Sequence, residues 1–252
     1  MEVAKKITVV TGATGDLGRA IVARLVAEEH EVLAVARDTR RLEELTATSE
    51  HIAGIRADLS EDHAVDVIRE VLRGRRVRMA VHSAAARVGG DVLSVSTADV
   101  LTAVNIKVNG LLRLVRAVLP SLVAGGRVVA IGGNLGFDPI PDAATAGIGS
   151  AAQANVVRQL NRALAERDVT CHTVAPGPVA TDRWYGIVAT EARRRGVTED
   201  EIRRDAIALS PLVRLTTPEE VAWIVARLAD PEAAALAGST LLLDTGRRTA
   251  LP

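Results

Sequence analysis

A glycine-rich loop near the start of the chain is the clearest feature that could do chemistry. The apolar run Ile7–Thr11 leads into the sequence GATGDLG, and a helical pattern follows. Glycines between a strand and a helix allow a tight turn and close approach to a pyrophosphate, which the start of the helix attracts. This order makes the pattern far more specific than the glycines alone. The loop is predicted to bind a dinucleotide through Gly12, Thr14, Gly15, Asp16, Leu17 and Gly18.

Asp16 has two interpretations in this loop. As an acid in the first helical turn, it would stabilise the positive end of the helix dipole. Its carboxylate would equally repel a pyrophosphate bound at the same place and weaken binding. We favour the role at the helix start.

The elements that would position this loop alternate along the chain. Continuously apolar, β-branched runs are typical of strands covered on both faces, and segments of helical spacing separate them. Such repeated units predict a doubly wound parallel sheet with right-handed crossovers. The expected strands are Ile7–Thr11, Glu31–Ala36, His51–Ala57, Val77–His82, Arg127–Ile131, Val169–Val174 and Thr240–Leu243. The expected helices are Leu17–Glu29, Arg40–Thr46, Glu61–Leu72, Ala98–Leu122, Ala143–Arg167 and Pro218–Asp230.

Composition excludes several classes of partner. The 252 residues fit one α/β core, without a linker or repeat. With 31 basic and 31 acidic residues, the chain gives no reason to expect nucleic acid or an anionic membrane as partner. The apolar stretches are too short to span a bilayer, and no metal site is expected. The single cysteine, Cys171, excludes an internal disulfide, so a reducing, cytoplasmic location is expected.

The second half of the chain carries the motifs of a known family. Residues 126–182 read GRVVAIGGNLGFDPIPDAATAGIGSAAQANVVRQLNRALAERDVTCHTVAPGPVATD. Together with the glycine loop, this stretch resembles the classical short-chain dehydrogenases/reductases (SDRs), and the resemblance covers nearly the whole chain. It implies one Rossmann-like α/β domain over residues 1–252, a doubly wound parallel sheet of about seven strands with helices on both faces. Residues 181–211 correspond to the mobile lid that covers the substrate in this family.

Three positions depart from the family's catalytic pattern. The family carries a serine after the fifth strand and a Tyr-x-x-x-Lys motif further on, and an ungapped register places Gly133, Ala146 and Ser150 there. Glycine and alanine offer no titratable group, and serine cannot carry the charge of a lysine. A standard carbonyl reduction by these three residues is therefore not expected.

The resemblance also implies further cofactor contacts. Arg37 follows the second strand, where a basic residue favours the 2′-phosphate of NADP(H), so NADP(H) is expected rather than NAD(H). The alternative is that Arg37 is an ordinary exposed arginine. Ala85 replaces a family glycine, so a close contact of this segment with the ribose does not follow from the resemblance. The remaining expected contacts are Asp58, Leu59, Ser83, Ala84, Pro176, Gly177, Val179 and Thr181.

Four titratable residues, at three places in the chain, are candidates for the missing proton chemistry. Tyr185 is the only tyrosine and lies in the lid segment. Asp138 lies with Asp142 in the loop after the fifth strand, and His82 ends the fourth strand with a titration range suited to proton transfer. Each has a structural alternative, which we favour: Tyr185 packs on Trp184, the two aspartates are turn residues, and the histidine is buried and hydrogen-bonded.

Two asparagines complete the set of candidate catalytic residues. Asn134 adjoins Gly133 and could hydrogen-bond a carbonyl, although its amide cannot titrate. Asn105 corresponds to the one residue of the family's catalytic tetrad that remains. Because its lysine partner is missing, we interpret Asn105 as structural.

Two functions follow from this pattern. The first is a tailoring enzyme that binds NADP(H) and acts without the Ser/Tyr/Lys residues, because binding and orientation alone can accelerate reactions. Its reaction would be a non-standard ketone/alcohol oxidation–reduction, or a redox-neutral cyclisation, isomerisation or dehydration, on a bulky, polycyclic or carrier-bound small molecule. The alternative is a non-catalytic subunit that supports an active paralogue in a mixed oligomer, or a ligand-binding pseudoenzyme. A homodimer or homotetramer is expected through the two longest helices.

Overall fold

The predicted parallel sheet is confirmed in the computed structural model, which describes residues 7–248. Seven strands pair in parallel in the order β3-β2-β1-β4-β5-β6-β7. The order reverses between β1 and β4, which is the place where open α/β sheets bind ligands beyond the carboxyl ends of their strands. The strands are β1 Ile7–Thr11, β2 Glu31–Ala36, β3 Ile52–Arg56, β4 Val77–His82, β5 Leu122–Ile131, β6 Thr170–Pro176 and β7 Thr240–Leu243.

Helices cover both faces of the sheet, as predicted. The α-helices are α1 Asp16–Ala27, α2 Thr39–Thr46, α3 Ala64–Val71, α4 Thr97–Val104, α5 Gly110–Val118, α6 Ala144–Leu164, α7 Asp182–Arg195, α8 Glu199–Ala208 and α9 Pro218–Arg227. The start of α9 has a capping box, with Pro218 after Thr217 and reciprocal bonds between Thr217 and Glu220.

Two apolar cores lie on opposite faces of the sheet. On one face, Ile68 of α3, Leu114 of α5 and Val157 of α6 pack against the strands. On the other face, the packing comes from α1, α2 and α9, with Ile21 and Val225 fully buried. Because both faces are covered, most strand positions are apolar, which is why the strands read as largely continuous runs in the sequence.

The helix predicted over Ala98–Leu122 is wrong in its continuity and in its end. A π-helical segment, Asn105–Asn109, separates α4 from α5, and α5 ends at Val118. The chain instead enters β5 at Leu122, five residues before the predicted start, and Leu122 pairs with Val77 of β4. Gly125 has a φ of 70°, which permits the irregularity in pairing that extends this strand.

The segment predicted to be a lid contains α7 and α8. These two helices share a small apolar cluster of Val188, Ala192 and Ile202. Thr181 caps the start of α7, because its Oγ1 accepts a hydrogen bond from the Trp184 N–H at 3.3 Å. The segment is therefore a packed helical pair, and its first turn borders the carboxyl edge of the sheet.

Residues 7–248 contain neither a candidate membrane-spanning helix nor a cluster of metal-ligating side chains. In that range, no helix combines the length and the apolar character needed to cross a bilayer. Within the same described residues, no three histidine, cysteine or acidic side chains are grouped as a metal site. Cys171 is a free, buried thiol in β6, and burial raises its pKa to about 12.

Candidate active site

A long cleft runs along the carboxyl edge of the sheet, at the reversal of strand order. Its volume is about 860 Å³, and the residues that follow β1, β2, β4, β5 and β6 line it together with the first turn of α7. Every residue that was predicted from the sequence to bind the cofactor lies along this cleft. They are Gly12, Thr14, Gly15, Asp16, Leu17, Gly18, Arg37, Asp58, Leu59, Ser83, Ala84, Pro176, Gly177, Val179 and Thr181.

The glycine loop forms a cradle that side chains would fill. Gly12 has a φ of 67°, and a Cβ there would lie 2.7 Å from Ala84 N. A Cβ at Gly18 would lie 2.1 Å from the Gly12 carbonyl oxygen. Gly15 precedes α1 and provides no side-chain cap, so the first-turn N–H groups lack the usual side-chain acceptor. This loop fits the phosphate groups of a dinucleotide.

Basic side chains stand at the end of β2. Arg37 is 70% exposed and its Nη1 lies 3.6 Å from Asp58 Oδ2. Arg41 of α2 lines the cleft beside it. Burial raises the pKa of the Asp58 carboxyl, but hydrogen bonds from Ser60 and the charge of Arg37 outweigh this and lower its pKa overall. Asp58 is therefore ionised at neutral pH. Because the Arg37 side chain is mostly exposed, its guanidinium remains accessible to a ligand.

The cleft is strongly positive although the chain as a whole is neutral. Two carboxylates, Asp16 and Asp58, are outnumbered by six cationic side chains. This concentration favours an anionic ligand. The cations are Arg37, Arg41, Arg87, Lys107, Arg183 and Arg247.

Arg183 joins α7 to the opposite wall of the cleft. Its Nη2 donates a hydrogen bond to the Ala86 carbonyl oxygen at 3.2 Å. Burial and the neighbouring charge of Arg87 lower the pKa of the Arg183 guanidinium, whereas the charge of Asp16 raises it. Asp16 therefore faces a cation from the lid segment, which offsets its repulsion of a bound phosphate.

The structure brings together the three positions that the predicted register aligns with the family's serine, tyrosine and lysine. Gly133, Ala146 and Ser150 all line the cleft. A Cβ at Gly133 would lie 3.3 Å from Ser150 Oγ, and Ser150 is almost fully buried. The three positions that the ungapped register selects therefore lie in one site.

His82 lies in the core and outside the cleft. Its Nε2 is 3.0 Å from the Ile106 carbonyl oxygen, and its Nδ1 is 2.9 Å from Thr11 Oγ1. Because a carbonyl only accepts, Nε2 carries the proton of the neutral ring and Nδ1 accepts from the threonine. Burial lowers the pKa of His82 to about 4. The structure thus places this residue as a buried, hydrogen-bonded histidine that supports the π-helical segment.

Tyr185 and the two aspartates also lie away from the cleft lining. Tyr185 is 44% exposed and packs edge-on against Trp184, with 5.2 Å between ring centroids. Asp138 is exposed, and Asp142 forms an ion pair of 3.3 Å with Arg194. None of these three groups shares a site with the positions at 133, 146 and 150 in this structure.

Both candidate asparagines line the cleft. Asn134 is buried in a short 3₁₀ turn after β5. Asn105 is held by its neighbours: its Nδ2 donates to the Ser60 carbonyl oxygen at 2.9 Å, and its Oδ1 accepts from Arg113 Nη1 at 2.9 Å. With both ends of its amide engaged, Asn105 fixes the start of the π-helical segment.

Like the cleft cations Arg41, Arg87, Arg183 and Arg247, Lys107 is a cleft residue that the sequence did not predict. It lies in the π-helical segment, and its Nζ donates to the carbonyl oxygens of Ile131 at 3.4 Å and Gly132 at 3.2 Å. Burial, and secondarily the charge of Arg183, lower the pKa of Lys107 to about 8. The available signal was its rarity: Lys5 and Lys6 are the only other lysines, and they lie outside the described residues.

Comparison with known proteins agrees with this geometry. A family model described as enoyl-(acyl carrier protein) reductase matches residues 12–248. The chain is 26% identical over 262 residues to the 3-oxoacyl-(acyl-carrier-protein) reductase FabG of Vibrio cholerae, covering 98% of each protein. It is 24% identical over 241 residues to the 3-oxoacyl-(acyl-carrier-protein) reductase MabA of Mycobacterium tuberculosis, covering 94% of this chain and 90% of the relative.

Solved structures share the fold. A short-chain dehydrogenase family protein from Francisella tularensis superposes with a TM-score of 0.88 at 21% identity, covering 97% of this chain and 99% of the other. A short-chain dehydrogenase/reductase from Brucella melitensis gives 0.84 at 24% identity, covering 99% of both chains. With the family match over residues 12–248, these findings show that the chain belongs to the short-chain dehydrogenase/reductase family.

Proposed function

We propose that this chain is an oxidoreductase that binds NADP(H) in the cleft and acts on a carbonyl or alcohol without the family's Ser/Tyr/Lys residues. The observation that carries the proposal is the positive cleft, which joins an uncapped helix start to six cations in a neutral chain. A nicotinamide dinucleotide is a polyanion with a pyrophosphate, so its charge suits this cleft.

The residues that would hold the cofactor follow from their placement. The loop from Gly12 to Gly18 would take the pyrophosphate, and Arg37 with Arg41 would take a 2′-phosphate. Residues 176–181, at the end of β6, would border the nicotinamide. When bound, the cofactor would supply or accept a hydride. The chain's own residues must then position the substrate and handle the proton.

The part of the cleft around positions 133, 146 and 150 favours a substrate larger than a simple ketone. Glycine, alanine and serine at positions 133, 146 and 150 leave space where the family carries larger side chains. The cations Arg87, Arg183 and Arg247 would attract a negatively charged group. The relatives named above act on 3-oxoacyl groups joined to a carrier protein, and a 3-oxoacyl thioester is the substrate class that we propose to test first.

The experiment that tests this function is a titration with NADPH and NADH, followed by heat and nicotinamide fluorescence, and then a turnover assay. We expect NADPH to bind more tightly than NADH and acetoacetyl-CoA to be reduced. Binding of NADPH without consumption during substrate conversion would favour the redox-neutral cyclase, isomerase or dehydratase alternative. Failure of both cofactors to bind would contradict the proposal.

Self-association is a second proposal, because apolar residues are exposed on the outer faces of α4 and α6. Leu101 of α4 is 70% exposed and Ile148 of α6 is 43% exposed. We propose that a second copy of this chain covers them, which gives a homodimer or homotetramer. Light scattering on purified protein tests this, with Leu101→Glu expected to yield monomers. Recovery from the native host only in association with another SDR chain would instead favour the supporting-subunit alternative.

A further inference from the structure

We propose that Lys107 is the catalytic proton donor of this site, acting from the π-helical segment in place of the family's tyrosine–lysine pair. This inference rests on the proposed oxidoreductase function and names the residue that completes it. The family's own lysine would come from α6, at position 150, whereas this one comes from the π-helical segment, which packs directly against α6 and lines the same cleft.

The ammonium of Lys107 is held by two hydrogen bonds, which leaves its third N–H donor for another acceptor. An ammonium has three N–H donors. Two of them point to the carbonyl oxygens of Ile131 and Gly132, at the carboxyl end of β5. Within the described residues no carboxylate pairs with Lys107. The third donor is therefore available to a substrate oxygen in the cleft that Lys107 lines.

The fold provides a place for this side chain. Gly149 of α6 faces the aliphatic stem of Lys107, and a Cβ at position 149 would lie 3.1 Å from Lys107 Cδ. Gln153, one turn further along α6, donates from Nε2 to the Lys107 carbonyl oxygen at 3.1 Å. Contacts from α6 thus hold both the backbone and the stem of Lys107, which restricts the position of Nζ.

The charges around Lys107 favour release of its proton near neutral pH. Arg183 faces it from α7 and lowers its pKa, in addition to the larger effect of burial. His82 faces it from β4, but is uncharged at neutral pH because its own pKa is about 4. With a pKa of about 8, Lys107 is mostly protonated at neutral pH and can both give and recover a proton.

The step balances without any further reactant. In carbonyl reduction, the N–H bond of Lys107 would break and the proton would form an O–H bond with the carbonyl oxygen, with the hydride for the carbon coming from NADPH when it is bound. Nζ is left as a neutral amine, which takes a proton from water before the next turnover. In the alcohol oxidation, the neutral amine accepts the hydroxyl proton. Reduction is therefore expected to slow as the pH rises through about 8, and oxidation to accelerate.

The first test observes Lys107 directly and needs no substrate. Protein labelled with ¹³C at the lysine Cε carbons gives few signals, and the Lys107→Met variant assigns one of them. We expect that signal to titrate near pH 8 and to titrate lower with NADP⁺ bound, because a cationic nicotinamide disfavours the ammonium. A titration near the ordinary lysine pKa of about 10.4, unchanged by NADP⁺, would overturn the proposal.

The second test measures turnover of acetoacetyl-CoA with NADPH. Lys107→Met is expected to lose at least roughly 100-fold in kcat while its NADPH dissociation constant changes little. Lys107→Arg keeps the charge but cannot deprotonate, so the inflection near pH 8 should disappear. Arg116→Met is the control, because it removes a cation from the exposed side of α5.

Different results would contradict the oxidoreductase function and the role of Lys107. If the wild-type chain binds neither cofactor, the oxidoreductase function fails and this inference fails with it. If the wild type reduces acetoacetyl-CoA and Lys107→Met is equally active, the inference about Lys107 alone is overturned. If NADPH binds and acetoacetyl-CoA is not reduced, the labelled lysine signal decides: a shifted, cofactor-sensitive titration supports the proposal, and an ordinary one overturns it.

Discussion

Gly149 and Lys107 are packed so closely that one added Cβ on the glycine would lie 3.1 Å from Lys107 Cδ. Such a separation is shorter than an ordinary contact of 3.5–4.0 Å between carbon atoms. The next atom that this Cβ would meet, the Ala103 carbonyl oxygen, lies 3.7 Å away. The absence of a side chain at position 149 therefore leaves room specifically for the stem of Lys107.

The substitution Gly149→Ala is expected to separate chemistry from stability. Alanine favours the helix by about 1 kcal/mol, while the new methyl group pushes the Lys107 stem by a few tenths of an ångström. We expect the free energy of unfolding to change by less than about 1 kcal/mol and kcat to fall roughly tenfold, since the shift moves Nζ relative to its two carbonyl partners and to the substrate. Urea denaturation and the turnover assay check this.

The matched control for this substitution is Gly186→Ala in α7. A Cβ at Gly186 would meet nothing within 4 Å, so the gain in helix propensity comes without a contact. Its kcat should stay close to that of the wild type. A kcat for Gly149→Ala that also equals the wild-type value would show that the position of the Lys107 stem does not matter for turnover.

The substitution Arg37→Gln is expected to remove the preference for NADPH. A guanidinium provides a charged fork of donors to a 2′-phosphate, and hydrogen bonds to charged groups contribute about 1.5–3 kcal/mol. The NADPH dissociation constant should therefore rise roughly 10- to 100-fold, whereas that of NADH changes little. Isothermal titration of both cofactors measures the selectivity.

Arg40→Gln is the control for this experiment. Arg40 is three residues along the chain, pairs with Glu44 at 3.2 Å on the exposed side of α2, and does not line the cleft. Its loss removes the same charge from the same region. An equal effect of both substitutions on NADPH binding would mean that Arg37 acts only through the general positive potential, and not through a direct contact.

The fold, and the position at the cleft of the residues proposed to bind the cofactor, could be predicted from the sequence because both depend on local patterns. Buried parallel strands are continuously apolar, and the glycine loop has a fixed spacing that backbone contacts require, as Gly12 and Gly18 show. Arg37 was found in the same way, since it directly follows a strand.

The role that we propose for Lys107 could not be predicted, because it depends on a local irregularity and on contacts between distant segments. A π-helical segment has no reliable sequence pattern, and it is held by His82, 24 residues before Ile106. The same segment aims Lys107 at carbonyl oxygens more than 20 residues away. Arg183 likewise reaches the cleft only because α7 folds back onto the loop after β4.

His82 is expected to make the protein sensitive to acid. Its folded-state pKa of about 4 lies below the ordinary value of about 6.5, so the unfolded state binds a proton more readily. The stability from the neutral ring is fully present above about pH 6.5 and is lost as the pH falls towards 4, in total about 3 kcal/mol. His172, buried in β6 with its pKa also lowered to about 4, contributes with the same sign.

Urea denaturation between pH 7 and about pH 4.5 measures this effect. We expect His82→Gln to be less stable than the wild type at neutral pH, because its amide cannot reproduce both ring hydrogen bonds, and to lose less stability on acidification. Parallel pH profiles for His82→Gln and the wild type would contradict the assignment.

Arg113 is expected to stabilise the π-helical segment more than its exposed ion pair suggests. Its Nε bonds to Asp62, whose side chain is 86% exposed, so that pair contributes little by itself. Its Nη1 also donates to the Leu59 carbonyl oxygen and to Asn105 Oδ1 inside the protein. Arg113→Met would leave both acceptors without this donor, which costs about 3 kcal/mol in the free energy of unfolding.

The comparison with two milder changes separates these contributions. Asp62→Asn removes only the exposed partner, and Arg116→Met removes an exposed arginine from the same helix; each is expected to change the free energy of unfolding by less than about 1 kcal/mol. Urea denaturation of the three variants gives the values. If Asp62→Asn were as destabilising as Arg113→Met, the ion pair would be the main contribution, and the bonds to Leu59 and Asn105 would not be what holds the start of the segment that carries Lys107.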